Sequence, residues 1–391
     1  MIAERLARLE RVMQGYIDRQ ELAGIVTLIA HDGQIAHSAQ FGYMDLVMKR
    51  PMQADTILRV ASMAKPITCV AAMMLFERGH FLLTDPISTY IPEFKELPVF
   101  AGIKDGKPEW HKQTQEITFW HLLTHTSGLG YPESDNQNVA ALYQAVKPNA
   151  SASLEDLVNK LVALPLFVQP GSRWHYGYSQ DVLARLVELL SGCEFGDFLE
   201  KEIFQPLGMA DTAYHVPRGK IARLASAYTT NESGRLEEID PITAKHMLPP
   251  GFKPGGHGLF STAQDYLRFT QMMLNGGQLD GIQLLNRKTV ALMTTNNLPK
   301  SLLPIQSAPT KQLLRYGHGY GLGFGIIMDP VAEQILGSAG SFHWGGAYCS
   351  NFWVDPEETL IGIFMSQLLP SDQHKAPKQF RAMVYQALDD L

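Results

Sequence analysis

One stretch constrains the fold more than any other. It reads Ser62-Met63-Ala64-Lys65-Pro66-Ile67-Thr68, then Cys69-Val70-Ala71-Ala72-Met73-Met74-Leu75-Phe76, and closes on Glu77-Arg78-Gly79. The apolar run is too long for one strand and ends on the glycine expected just past a helix. It predicts a buried helix over residues 62–78. Pro66 fits only a first turn, so the helix starts near Ser62. Residues three apart share a helix face, which sets Lys65 beside Ser62. The helix start adds free N–H groups and partial positive charge. Burial disfavours a charged amine, so an amine there can take a proton from a neighbouring hydroxyl and make it a nucleophile. Ser is also a common N-cap, and Ser-x-x-Lys alone is a weak pattern. What singles this one out is that Lys65 is the only charged residue between Arg59 and Glu77.

The composition of the whole chain suits a soluble protein. Its 391 residues allow two domains, or one large domain with an insertion. Apolar residues make up 45% and charged residues 18%, enough for a substantial core. The net charge of −6 and the lack of a basic run argue against a nucleic-acid or membrane partner. Cys69, Cys193 and Cys349 are far apart and odd in number, which suggests buried thiols in a reducing compartment. Charges interrupt the first eleven residues too often for a signal peptide, and Leu6, Leu9, Val12 and Met13 mark an amphipathic helix instead. No apolar stretch reaches 18 residues, so no membrane span is expected and the cytoplasm is the expected location.

Strand signals gather at both ends. Residues 23–30 and 34–42 read as a hairpin turned at Asp32-Gly33. Residues 323–328, 341–344, 350–354 and 359–365 read as strands, and 377–388 as a closing helix. Between about 83 and 240 helical periods dominate, with polar loops at 104–108 and 132–138. Residues 255–265 read as a turn, a short segment and a helix cap, with a helix to about 275. The expected class is α+β: an antiparallel sheet flanked by helices, built from 1–83 and 241–391, with a mostly helical domain inserted at 84–240.

A Ser–Lys pair needs a second proton carrier, an oxyanion hole and walls. Pro170-Gly171-Ser172-Arg173-Trp174-His175-Tyr176-Gly177-Tyr178-Ser179-Gln180-Asp181 is a turn, an aromatic patch and a helix start. A lysine ammonium beside the Tyr176 phenol would help it lose its proton, so Tyr176 is the candidate carrier. Ser341-Phe342-His343-Trp344-Gly345-Gly346-Ala347-Tyr348 is a strand whose paired glycines imply close approach to backbone. Packing alone also explains aromatics on a loop and glycines in a strand.

Three motifs in this order resemble the serine β-lactamase and penicillin-binding-protein superfamily, in its class C branch. Ser62-Met63-Ala64-Lys65 is similar to its Ser-x-x-Lys box, Tyr176-Gly177-Tyr178 to its Tyr-x-Asn, and His343-Trp344-Gly345-Gly346 to its Lys-Thr-Gly. Residues 121–129, 206–209 and 258–262 match as well, so the resemblance spans nearly the whole chain. It implies a β-lactamase-like fold with the site between sheet and helical domain. It also implies backbone N–H groups of Ser62 and Ala347 as the oxyanion hole, and Tyr178, His343, Trp344, Gly345, Gly346, Ser127 and Gly128 around the substrate.

The departures matter most. Tyr178 stands where the superfamily has Asn, and Trp344 where it has the lysine that would meet a β-lactam carboxylate, with His343 one residue away. The Trp-Gly-Gly form resembles family VIII carboxylesterases. The resemblance thus implies hydrolysis of short acyl esters through an acyl-enzyme on Ser62, with Lys65 and Tyr176 as a coupled base in which either can be the formal base. Tyr178 and Trp344 would form apolar walls. β-Lactamase or peptidase activity, acyl transfer to a small acceptor, and a non-catalytic penicillin-recognising protein are the alternatives. No serine has glycines at both −2 and +2, which argues against an α/β-hydrolase. His121 and His125 lack a His-Glu-x-x-His context, so no metal or cofactor is expected, and hydrogen bonding of the loop before Ser127 is their expected role. Residues 101–115 and 298–315 are expected to shape the pocket. Beyond a small-molecule ester no partner is implied, and the oligomeric state is open.

Overall fold

The computed structural model describes residues 1–134, 136–305, 316–370 and 374–388. Both ends of the chain meet in an antiparallel sheet of eight strands. These are β1 (Gly24–His31), β2 (Gln34–Asp45), β3 (Arg50–Pro51), β4 (His318–Tyr320), β5 (Gly325–Ile327), β6 (Phe342–Gly346), β7 (Ser350–Asp355) and β8 (Leu360–Met365). Their order across the sheet is β4-β5-β6-β7-β8-β1-β2-β3. Asp32 and Gly33 turn the β1–β2 hairpin at φ 52° and 72°, the left-handed pair that a two-residue turn needs. β1 then pairs with β8, Ile29 opposite Gly362, and so joins the opening hairpin to the closing strands.

Five helices frame the sheet and the site: α1 (Ala3–Asp18), α2 (Ala64–Glu77), α3 (Ser179–Ser191), α4 (Ala263–Leu274) and α5 (Ala376–Tyr385). Strand alternation decides what each helix covers. β1 sends Ile25 and Ile29 to one face, where Leu9 and Met13 of α1 and Phe380 and Val384 of α5 pack. It sends Val26, Leu28 and Ala30 to the other, into the core shared with α2 and α4. α2 is buried at every residue from Ala64 to Leu75, as its unbroken apolar run requires.

The structure departs from the sequence reading in several places. A 3-10 turn, Ala61–Met63, precedes α2, which starts at Ala64 and not at Ser62. Pro66 has no N–H to give the Ser62 carbonyl, so the first turn tightens. Residues 84–240 hold two hairpins, Pro98–Lys104 with Lys107–Lys112 and Ala227–Thr230 with Leu236–Asp240. The polar stretch at 104–108 is the turn of the first, with Asp105 and Gly106 at φ 50° and 75°. The second is tied to the sheet side of the molecule: Tyr228 N–H donates to Gln367 O at 2.8 Å and Ser226 N–H to Met44 O at 2.8 Å. β3 and β4, of two and three residues, are too short to read as periodic patterns. Cys69 and Cys349 are buried, but Cys193 is exposed. Of the expected pocket loop at 298–315, residues 306–315 lie outside the described residues.

Candidate active site

Ser62 sits in the 3-10 turn at the head of α2. The turn is entered through Ala61 at φ 43°, a left-handed conformation that disfavours any residue with a β-carbon. Three contacts hold it in place. Leu58–Arg59 pairs with Phe260–Ser261 as a two-stranded ribbon. The Tyr266 hydroxyl of α4 donates to Met63 O at 2.9 Å. Gly346, at the end of β6, lies so close to Val60 that a β-carbon there would overlap the Val60 carbonyl oxygen. That contact sets Ala347, the next residue, beside the Ser62 turn.

Lys65 does not reach out to solvent: it is 1% exposed. Its Nζ donates to Ser62 Oγ at 3.0 Å and to Gly256 O at 2.8 Å. It also lies over two aromatic rings, 4.7 Å from the centroid of Tyr176 and 5.6 Å from that of Tyr131. Ser62, Lys65 and Tyr176, expected together from sequence, are thus brought together around the Lys65 Nζ. Tyr176 is steered by a box of rings: centroids of His125, Trp174 and Trp344 lie 4.7, 5.9 and 5.7 Å from its own. Tyr320 closes the box against Trp344 at 5.4 Å.

Other expected site residues play different parts. Tyr178 is fully buried; its hydroxyl donates to Asn149 Oδ1 at 3.1 Å and its ring packs on Tyr131 at 4.6 Å. Trp344 is 2% exposed, so it braces Tyr176 from behind. With no open surface, neither ring is the apolar wall of a cleft. Gly345 and Gly346 keep partial exposure and Ala347 is exposed. His343 is turned away. Alternation along β6 puts it on the face opposite Trp344, where its Nε2 lies 3.1 Å from His318 Nε2 and burial holds it well below the usual histidine range. Ser127 and Gly128 form a buttress: Ser127 Oγ lies 2.8 Å from Ser179 Oγ, and Gly128 O accepts from Phe167 N–H at 2.8 Å. The His121 side chain caps the start of its own helix through Thr118, instead of bonding the loop before Ser127 as expected, and burial pulls it down to about 4. His125 differs from expectation. Its ring nitrogens make no hydrogen bond among the described residues, and it serves by stacking.

Three groups were given no part by the sequence reading: Tyr131, the Gly256 carbonyl and Asp181. Asp181 is fully buried in the first turn of α3, and its Oδ1 accepts from Gly256 N–H at 2.9 Å. Burial pushes its carboxyl upward, against His257 and Lys65, which favour the charged form. The available signal was an acid five residues after Tyr176 at a helix start. A cavity of about 350 Å³ is lined by Phe204, Tyr214 and Lys220, with none of Ser62, Lys65 and Tyr176 in its wall. Among the described residues no group of three or more His, Cys, Asp or Glu is placed to hold a metal. No helix among them is long and apolar enough to cross a membrane.

A helix-flanked antiparallel sheet, with half-buried Ser62 and buried Lys65 at a helix head and Tyr176 beside them, defines a β-lactamase-like fold. The chain belongs to the β-lactamase family, whose model matches residues 9–385. It is 34% identical to protein Rv1367c of Mycobacterium tuberculosis, over 89% of this chain and 86% of that one. It is 28% identical to esterase EstB of Burkholderia gladioli, over 90% and 88%. Its fold is similar to the solved structure of EstCE1, a hydrolase with promiscuous acyltransferase activity, with a TM-score of 0.81, 25% identity and coverage of 97% and 98%.

Proposed function

We propose that this chain is a cytoplasmic serine esterase of the family VIII type, hydrolysing short acyl esters through an acyl-enzyme on Ser62. The observation that carries the reading is the 3.0 Å contact between the buried Lys65 Nζ and the Oγ of half-buried Ser62. Ser62 Oγ attacks the ester carbonyl and its proton passes to the coupled Lys65–Tyr176 pair. The N–H groups of Ser62 and Ala347 stabilise the oxyanion. The pair then protonates the departing alcohol. Water attacks the acyl-enzyme and gives a proton to the same pair; the bond from the acyl carbon to Ser62 Oγ then breaks, the pair returns that proton to Ser62, and the acid leaves.

Similarity to the esterase EstB and the hydrolase EstCE1 supports ester chemistry. So does the motif at residues 344–346, which reads Trp-Gly-Gly and so carries no lysine to meet a β-lactam carboxylate. The substrate is expected to run along the backbone of Gly345, Gly346 and Ala347. The promiscuous acyltransferase activity of EstCE1 favours a second reading, in which an alcohol replaces water as acyl acceptor. The test compares p-nitrophenyl butyrate with a chromogenic cephalosporin on one preparation, with and without an added alcohol. Ester turnover well above cephalosporin turnover, abolished in Ser62→Ala, is expected. Faster cephalosporin turnover, or ester turnover that survives Ser62→Ala, refutes the reading. A transfer product formed in competition with acid would favour the acyltransferase.

A further inference from the structure

Lys65 and Asp181 are joined by one peptide unit. The Lys65 ammonium donates to the Gly256 carbonyl at 2.8 Å, and the Gly256 N–H donates to Asp181 Oδ1 at 2.9 Å. Both side chains are sealed from solvent, at 1% and 0% exposure. Asp181 Oδ2 accepts no hydrogen bond among the described residues. A carboxylate buried this deeply is costly unless a cation compensates it.

Among the described residues, Lys65 is the cation that the surroundings leave for that task. From α2, Cys69 and Lys65 face the pair; from the loop before Ser127, His125; from the segment beside Gly256, His257. Tyr131, Tyr178 and Tyr214 face Asp181, and the ring of Tyr176 lies under Lys65. Burial pushes His125 and His257 down, pushes the Tyr131, Tyr178 and Tyr214 phenols up, and holds the Cys69 thiol at about 12, so these six are neutral near pH 7.

We infer that Asp181 is a positioning residue: through the Gly256 peptide its carboxylate holds the Lys65 ammonium beside Ser62 and opposes proton loss from the Lys65–Tyr176 pair. This rests on Ser62 being the nucleophile of the proposed esterase. The sign of the effect does not depend on which partner is the formal base. A nearby negative charge favours the ammonium over the amine and the phenol over the phenolate alike. Removing it therefore eases proton loss from either.

The test uses a fluorophosphonate, which needs no knowledge of the natural ester. Ser62 Oγ forms a bond to phosphorus, the P–F bond breaks, fluoride leaves, and the hydroxyl proton goes to the pair. Labelling of Ser62 is followed against pH by intact-protein mass in wild type, Asp181→Asn and Gly256→Ala. Asn can still accept from Gly256 N–H. A methyl at Gly256 would lie 2.9 Å from Asp181 Oδ2 and 3.1 Å from Tyr131 Oη, and so pushes the carboxylate aside. In Asp181→Asn the midpoint of the acidic limb is expected about one pH unit lower, with a plateau about tenfold lower. Gly256→Ala is expected to move it the same way. A plateau that falls while the midpoint stays fixed in folded protein overturns the inference. So does failure of both variants to fold, which would make Asp181 a core residue only. Wild type that labels on Ser62 but does not turn over p-nitrophenyl esters sinks the ester reading and leaves this inference standing. Wild type that does not label on Ser62 overturns both.

Discussion

Gly346 at the end of β6 packs its α-carbon against the carbonyl of Val60, two residues before Ser62. This contact locks the end of β6, which Ala347 follows, to the turn that carries Ser62, the proposed nucleophile. Gly346→Ala forces the two apart. Overpacking of this kind costs about 1–3 kcal/mol of stability. The loss of a placed oxyanion donor costs about 100- to 1000-fold in kcat. The expected result is a folded protein whose kcat on p-nitrophenyl butyrate falls by that range, with KM changed far less. A drop in KM alone would show that Ala347 takes no part in the oxyanion hole.

The two tyrosines of the Tyr176-Gly177-Tyr178 motif are expected to separate cleanly. Tyr176→Phe keeps the stacking on His125, Trp174 and Trp344 but deletes the hydroxyl of the proposed proton carrier. Its kcat is expected to fall about 100- to 10,000-fold, with the melting temperature nearly unchanged. Tyr178→Phe deletes only the hydrogen bond to Asn149, worth about 1 kcal/mol. Steady-state kinetics on both variants decide the matter. Large loss in Tyr178→Phe with Tyr176→Phe active would exchange their roles.

Much of this arrangement was legible in the chain. The apolar run after Ser62 could only be a core helix, and one charge inside it marked Lys65. The Asp32-Gly33 turn and the closing apolar runs gave most of the sheet. What failed to show was whatever depends on strand phase and distance. His343 and Trp344 are neighbours in sequence, and only the pairing of β6 with β7 decides which faces Tyr176. Tyr178 resembled a wall because aromatics often are, but its burial follows from a helical core assembled from residues 129–183. Asp181 and Gly256 are 75 residues apart, and their hydrogen bond has no local signature.

His343 provides a direct check of the β6 phase. Its ring lies on the far side of the sheet from Ser62, next to His318, and burial keeps it uncharged at neutral pH. His343→Gln is therefore expected to change kcat and KM on short esters by less than about threefold, a difference of under about 1 kcal/mol. Its cost should appear in stability, because a buried polar partner of His318 is disturbed. Urea unfolding and ester kinetics on the same variant test this. A KM raised tenfold or more with stability intact would bring His343 back to the substrate.

Arg59 and Asp240 supply the last prediction. Arg59 is 6% exposed and sits three residues before Ser62. Its Nε donates to Asp240 Oδ2 at 2.9 Å and its Nη1 to Ala225 O at 2.7 Å. Burial alone would raise the Asp240 carboxyl, but the hydrogen bond from Lys245, the Arg59 charge and His246 outweigh it and hold the group at about 2. The folded value lies below the unfolded one of 3.8, so the stabilisation is fully present above about pH 4. It is lost as pH falls toward 2. The full shift corresponds to about 2 kcal/mol. With part of the Asp240 side chain in solvent, screening leaves about 1 kcal/mol. Because pH 3 lies midway between the folded and unfolded values, urea unfolding is expected to show roughly half of this difference between pH 6 and pH 3 in wild type and none of it in Asp240→Asn. That variant should also be less stable at pH 6, because it strips a buried guanidinium of its counter-charge. Since Arg59 lies on the ribbon that enters the Ser62 turn, ester turnover in Asp240→Asn is expected to fall together with stability. An equal pH dependence in both proteins would show that this ion pair does not set the acid limit of the fold.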